Sequence, residues 1–84
     1  MGVLLDILKA IDSENEATIS KIIMLANIPY ERLKKYLEKL LAEGYIQELS
    51  EDDRKCYKLT LKGYRLINEL EGIKGIFDKL GFPL

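Results

Sequence analysis

The stretch "PYERLKKYLEKLLAEGY", Pro29 to Tyr45, concentrates charged and aromatic side chains able to bind a ligand. That stretch holds four cations, Arg32, Lys34, Lys35 and Lys39, against the acids Glu31, Glu38 and Glu43. Leu33, Leu37, Leu40 and Leu41 recur at helical spacing, so it reads as an amphipathic helix with Tyr30 and Tyr36 near the borders of its apolar stripe. At about 100° per residue, with Leu33 toward the core, Glu31, Lys34, Lys35, Glu38 and Ala42 share the solvent-facing arc. Arg32 and Lys39 lie together on one flank. Ammonium and guanidinium groups so placed can contact phosphates or guanine, and Glu31 could accept from cytosine N4. The same charges could instead form a solvated face, with Glu31–Lys35 and Lys34–Glu38 as i,i+4 pairs. The charge pattern alone leaves both readings open.

A second group of cations follows. Residues 54–68 hold Arg54, Lys55, Lys58, Lys62 and Arg65 with no acid, whereas residues 1–31 hold two lysines against five acids. The formal net charge of −1 therefore hides a polarised chain. Asp52 and Asp53, just before this cluster, count against it and suit a turn. No Ser/His/Asp set or phosphate-cradling glycine loop is present, and the chain has no histidine and a single cysteine, Cys56. Enzymatic activity, a metal site, a cofactor and an internal disulfide are accordingly not expected. Cys56 is most simply a small strand residue.

These residues need elements to hold them. The chain has 84 residues, 48% hydrophobic and 32% charged, which suits one small globular domain rather than a disordered segment. Val3, Leu4, Ile7, Leu8 and Ile11 make the apolar stripe of a first helix, interrupted by "DSENEA". Thr18 is the expected N-cap of a short second helix burying Ile19, Ile22, Ile23 and Ala26, and Asn27 is its left-handed stop. The third helix is expected at about Pro29 to Glu43, with Gly44 as its C-terminal glycine. The period then drops to two: "YIQEL" and "KCYKLTL" read as strands around a polar tip, "SEDDR", with Tyr57, Leu59 and Leu61 on one side and Cys56 and Lys58 on the other. Thr60 is the expected N-cap of a last helix to about Leu80, stopped by Gly81 and Pro83. Three helices, a two-stranded hairpin and a closing helix make an α+β, mostly helical, winged helix-turn-helix fold. No apolar run approaches the ~20 residues of a membrane span, and the start "MGVLLDILKAID" has acids where a signal peptide would want small residues. A cytoplasmic protein is expected.

Two stretches carry a resemblance. "IIMLANIPYERLKKYLEKLLAEGYI" resembles the helix-turn-helix of a family of small archaeal winged-helix DNA-binding proteins, matching at Ile23, Met24, Ala26, Asn27, Tyr30, Leu33, Lys34, Lys35, Tyr36, Leu37 and Gly44. "YKLTLKG" is similar to the end of the wing shared more loosely with MarR- and PadR-type regulators. The resemblance implies a homodimer, joined through the C-terminal helix as a two-stranded coiled coil, that binds double-stranded DNA as a chromatin protein or transcription regulator. The chain departs from the family at Pro29, where a capping Ser is usual, and in a shorter last helix containing Gly72 and Gly75.

The residues and the resemblance together give a set of expectations. The winged domain spans residues 1–61, and residues 62–84 form a dimerisation helix continuous with it. Tyr30, Glu31, Arg32, Lys34, Lys35 and Lys39 face the major groove, since the N-terminal half of a recognition helix meets base edges. Arg54, Lys55 and Lys58 carry the wing onto the backbone or minor groove. Leu66, Leu70, Ile73, Phe77 and Leu80, spaced by 4, 3, 4 and 3, form a heptad seam for the dimer. Glu31 in a groove penalises most sequences, which favours a sequence-selective regulator. The alternatives are a winged helix used only to bind protein and a non-specific archaeal chromatin protein.

Overall fold

The computed structural model describes residues 2–82, so the expected stop at Pro83 lies outside the described residues. The chain runs α1 (Gly2–Glu14), β1 (Ala17–Thr18), α2 (Ile19–Ala26), α3 (Tyr30–Ala42), β2 (Ile46–Glu51), β3 (Arg54–Leu59) and α4 (Leu61–Leu80). The fold is a winged helix with four helices and an antiparallel sheet of order β1-β3-β2.

Local chemistry sets most boundaries. Thr18 is extended and its hydroxyl accepts the amide of Lys21, one of the amides that the first turn of α2 leaves unpaired. Asn27, at φ 52°, ends that helix in the left-handed region and returns its amide to the carbonyl of Ile23. Pro29 opens α3 without a side-chain cap, consistent with the departure noted at that position. At its other end Gly44 (φ 77°) donates to the carbonyl of Leu41, and Tyr45 donates to that of Leu40. This pair of bonds is the Schellman pattern. Thr60 caps α4 by accepting the amide of Gly63.

One core holds the elements together. Leu5, Ile7, Leu8 and Ile11 of α1 meet Ile22, Leu33, Leu37, Leu40, Ile46, Tyr57, Leu59, Ile67 and Leu70. Ile22 and Leu33 are fully buried, so the two helices of the helix-turn-helix are each pinned by a side chain whose truncation to Ala costs about 2–5 kcal/mol. Leu5 and Ile28 are also buried, although neither stood out in the apolar periodicity.

The sheet differs from the two strands expected. Ala17 and Thr18 pair with Tyr57 and Cys56, adding a third strand between α1 and α2. Two residues cannot show a period of two, so this strand exists through its partner rather than through its own pattern. Leu61 likewise belongs to α4 and is exposed, because the Thr60 cap turns the chain before it can continue the strand face.

α4 is 20 residues long, about 30 Å at helical rise, in a molecule of 47 × 26 × 21 Å. Its first half contributes Gly63, Ile67 and Leu70 to the core. Its second half holds no buried residue. No helix among the described residues is long and apolar enough to cross a membrane.

Candidate nucleic-acid interface

The α3 surface resolves into three strips. On the crest, Tyr30, Glu31, Lys34, Lys35 and Glu38 line a shallow exposed depression. On one flank, Arg32, Lys35, Tyr36 and Lys39 line a depression of about 320 Å³ that contains three cations and no carboxylate. The other flank faces the wing across a cleft of about 330 Å³, where Tyr30, Lys34 and Glu38 meet Glu48, Lys55 and Tyr57.

The pairs Glu31–Lys35 and Lys34–Glu38 do not form. Among the described residues the ion pairs are Lys9–Glu71, Lys21–Glu14 and Lys55–Glu48, and none involves α3. Arg32, Lys34, Lys35 and Lys39 are all exposed, so their charged groups are available to an incoming anion. α3 therefore presents Lys34 and Lys35 unpaired on its solvent-facing arc and Arg32 and Lys39 unpaired on one flank.

The wing is a β2–β3 hairpin closed by the two-residue turn Asp52-Asp53, with Glu51 opposite Arg54. Both aspartates have positive φ, 48° and 63°, as a type I′ turn requires. Cross-strand register divides its cations between two faces. Lys55 lies opposite Ser50 on the face that also carries Tyr57 and Glu48, toward α3. Arg54 and Lys58 lie on the other face, opposite Glu51 and Gln47. Arg54 also lines a groove with Thr18, Ile19 and Ser20 at the start of α2. The structure thus brings Lys55 to Tyr30 and Lys34, but sets Lys58 apart from them.

The cluster of residues 54–68 is less uniformly free than its composition suggests. Lys55 Nζ lies 3.5 Å from Glu48 Oε1. Lys62 Nζ donates to the carbonyl of Glu43 at 2.7 Å and sits 4.6 Å from the ring centroid of Tyr45. That contact places a cation at the C-terminal, negative end of the α3 dipole, so Lys62 anchors the helix.

Glu48 was missed from the sequence, where it is one acid in a polar strand. The hydroxyl of Tyr57 donates to Glu48 Oε1 at 3.3 Å. Burial, followed by the charge of Glu48 and this hydrogen bond, raises the Tyr57 phenol above its ordinary range. The cross-strand pairing that creates this arrangement is not visible from residue types alone.

On α4, Leu70 is already in the core, with 6% of its surface exposed. Leu66 and Phe77 are half-buried, while Ile73 (39%), Ile76 (59%) and Leu80 (63%) are exposed. At 100° per residue these five lie on one arc beside the core face. Gly75 falls on roughly the opposite side and Gly72 at the edge of the arc, about 40° from Ile76; a Cβ at either would meet nothing within 4 Å.

Residues 1–77 match the winged helix-turn-helix family. The chain belongs to it. Among solved structures, this winged helix is similar to Sso10a-2, a DNA-binding protein from Sulfolobus solfataricus, with 33% identity and a TM-score of 0.86 over 94% of this chain and 81% of that one. It also superposes on Bordetella bronchiseptica BpsR, with 14% identity and a TM-score of 0.85 over 94% of this chain and 58% of that one. A MarR mutant from E. coli complexed with operator DNA gives 17% identity and a TM-score of 0.74, over 86% of this chain and 54% of that one. The winged helix spans little more than half of the latter two chains, and at these identities they share its fold. No curated protein sequence matches the chain.

Proposed function

We propose that this winged helix is a homodimeric, sequence-selective double-stranded DNA-binding protein that acts as a transcription regulator. The observation that carries the reading is that all four cations of α3 are exposed and none has an ion-pair partner, although Glu31 and Glu38 stand at pairing distance in sequence. A helix evolved only for solubility would gain from closing those pairs. The winged helix-turn-helix family, and the similarity to a DNA-binding protein from Sulfolobus solfataricus, support the same reading.

In this reading Tyr30, Glu31, Lys34 and Lys35 enter the major groove, where Lys34 and Lys35 meet guanine or phosphate and Glu31 discriminates among bases. Arg32 and Lys39, on the carboxylate-free flank, hold the backbone. Arg54 and Lys55 carry the wing tip onto the adjacent strand, and Lys58 supplies longer-range attraction. Residues 1–61 form the DNA-binding body. Residues 62–84 are the dimerisation segment, and on α4 Leu66, Ile73, Phe77 and Leu80 form a coiled-coil seam with Ile76 beside them, while Leu70 stays in the core of its own protomer. A cytoplasmic, archaeal setting accords with the family resemblance of the helix-turn-helix.

Gel-shift titration of the chain with mixed-sequence duplex at two salt concentrations tests the class of partner. Binding that weakens steeply with salt is expected. No retardation at low salt would leave the protein-interaction module as the reading to pursue. Selection of bound duplexes from a random pool then separates a regulator, which enriches a motif, from a uniform chromatin coat.

A further inference from the structure

The DNA reading implies a specific collision in the helix–wing cleft. With α3 in the major groove and the wing on the neighbouring backbone, the phosphate strand between them must pass over that cleft. Its charged lining is Lys34 and Lys55 against Glu38 and Glu48, two cations and two carboxylates. The opposite flank of α3 has three cations and no carboxylate. A phosphate is therefore met by free cations on one side of the helix and by a self-compensated set on the other.

Glu48 is the residue that makes the difference on the wing side. One carboxylate oxygen, Oε1, lies 3.5 Å from Lys55 Nζ and accepts from the Tyr57 hydroxyl at 3.3 Å. Tyr57 is itself buried, so its hydroxyl holds the carboxylate from the core side, on the strand directly opposite. Lys55 is largely exposed, so its ammonium can swing away from Glu48 toward an arriving anion. A carboxylate and a phosphate oxygen offer an ammonium the same kind of acceptor.

We infer that Glu48 is an internal stand-in for a DNA phosphate: it occupies Lys55 in the free protein and must surrender it when duplex binds. It is a positioning residue that lowers affinity for every duplex, leaving net attraction to the contacts that α3 makes in the groove. This role rests on the DNA reading above.

The test compares wild type, Glu48→Gln, Lys55→Ala and the double variant in duplex titrations across a salt series. Gln keeps an oxygen acceptor for Tyr57, so the hairpin persists, which its thermal unfolding checks. Glu48→Gln is expected to bind duplex more tightly, by up to about fivefold, the worth of an exposed ion pair. The slope of log K against log salt should steepen by roughly 0.9. Lys55→Ala should cost little in wild type and clearly more in the Glu48→Gln background. A purely structural Glu48 would change the unfolding midpoint while leaving affinity and slope alone. Equal or weaker binding by a folded Glu48→Gln, alongside salt-sensitive binding by wild type, overturns this role while sparing the DNA reading. Absence of binding by both forms at low salt overturns the two together.

Discussion

The hydroxyl of Thr60 donates a 2.6 Å hydrogen bond to the carbonyl of Gly44 while accepting the amide of Gly63 at 3.2 Å. One side chain thus joins the end of α3 to the start of α4. Its neighbours extend the joint: the Thr60 amide donates to Tyr45, and Lys62 donates to Glu43. Three successive carbonyls after α3 are satisfied by residues 60–62. A Cβ at Gly63 would collide with the Tyr45 carbonyl oxygen, which explains the glycine of "YKLTLKG".

Thr60→Ala should therefore cost more than an ordinary surface change, about 1–2 kcal/mol for the cap alone. For a domain of this size that is a fall of very roughly 4–8 °C in Tm per kcal/mol, measurable by thermal circular dichroism. Thr60→Ser should retain most of the stability. Gly63→Ala should lose about 1–3 kcal/mol through forced backbone displacement.

The wing turn offers a stabilising change. Asp52 and Asp53 hold positive φ at a modest steric cost, which Asn-Gly would remove. The variant Asp52→Asn with Asp53→Gly should gain about 0.5–1 kcal/mol in urea titration. It also deletes two negative charges beside Arg54. Duplex binding should tighten and grow more salt-dependent, as a gel-shift series would record.

Tyr57 makes stability depend on alkaline pH. Burial and Glu48 raise its pKa above the ordinary phenol value of about 10, so the folded chain keeps a phenolic proton that the unfolded chain gives up. The associated stabilisation is fully present below the unfolded value and is lost as pH rises through the folded one. Urea midpoints followed upward from about pH 9 should fall for wild type, and less steeply for Tyr57→Phe. Glu48→Gln should lower the phenol pKa only partly, since burial, the largest cause, remains.

α4 separates stability from assembly. Gly72→Ala and Gly75→Ala should each stabilise the helix by about 1 kcal/mol, since a Cβ has open space at both positions. Gly75 lies opposite the apolar arc, so sedimentation of Gly75→Ala should report an unchanged assembly state. Leu80→Asp, at an exposed position, should instead lower the mass of the proposed dimer to that of a monomer without unfolding the chain. An unchanged mass would remove this helix from the interface.

Much of the fold was legible because its signals are local. Thr18, Asn27, Gly44 and the capping bond of Thr60 to Gly63 each act within about one helical turn, and the leucines of α3 carry their own period. β1, the burial of Ile28 and the division of wing cations between two faces depend on partners far along the chain. Composition placed Lys55 and Lys62 in a free basic cluster, but cross-strand and interhelical neighbours engage both. Glu48 was invisible for the same reason: its importance comes from standing opposite Tyr57 and beside Lys55, a property of register rather than of residue type.

The central claim is that α3 and the wing tip form the surface that meets duplex DNA. Amide chemical-shift mapping of the isotope-labelled chain, titrated at low salt with a short duplex, tests it most directly. The largest perturbations are expected within Tyr30–Lys39 and Arg54–Lys58, fading as salt is added. Perturbations centred on α1 or the distal half of α4, or none at all with duplex in excess, would contradict it.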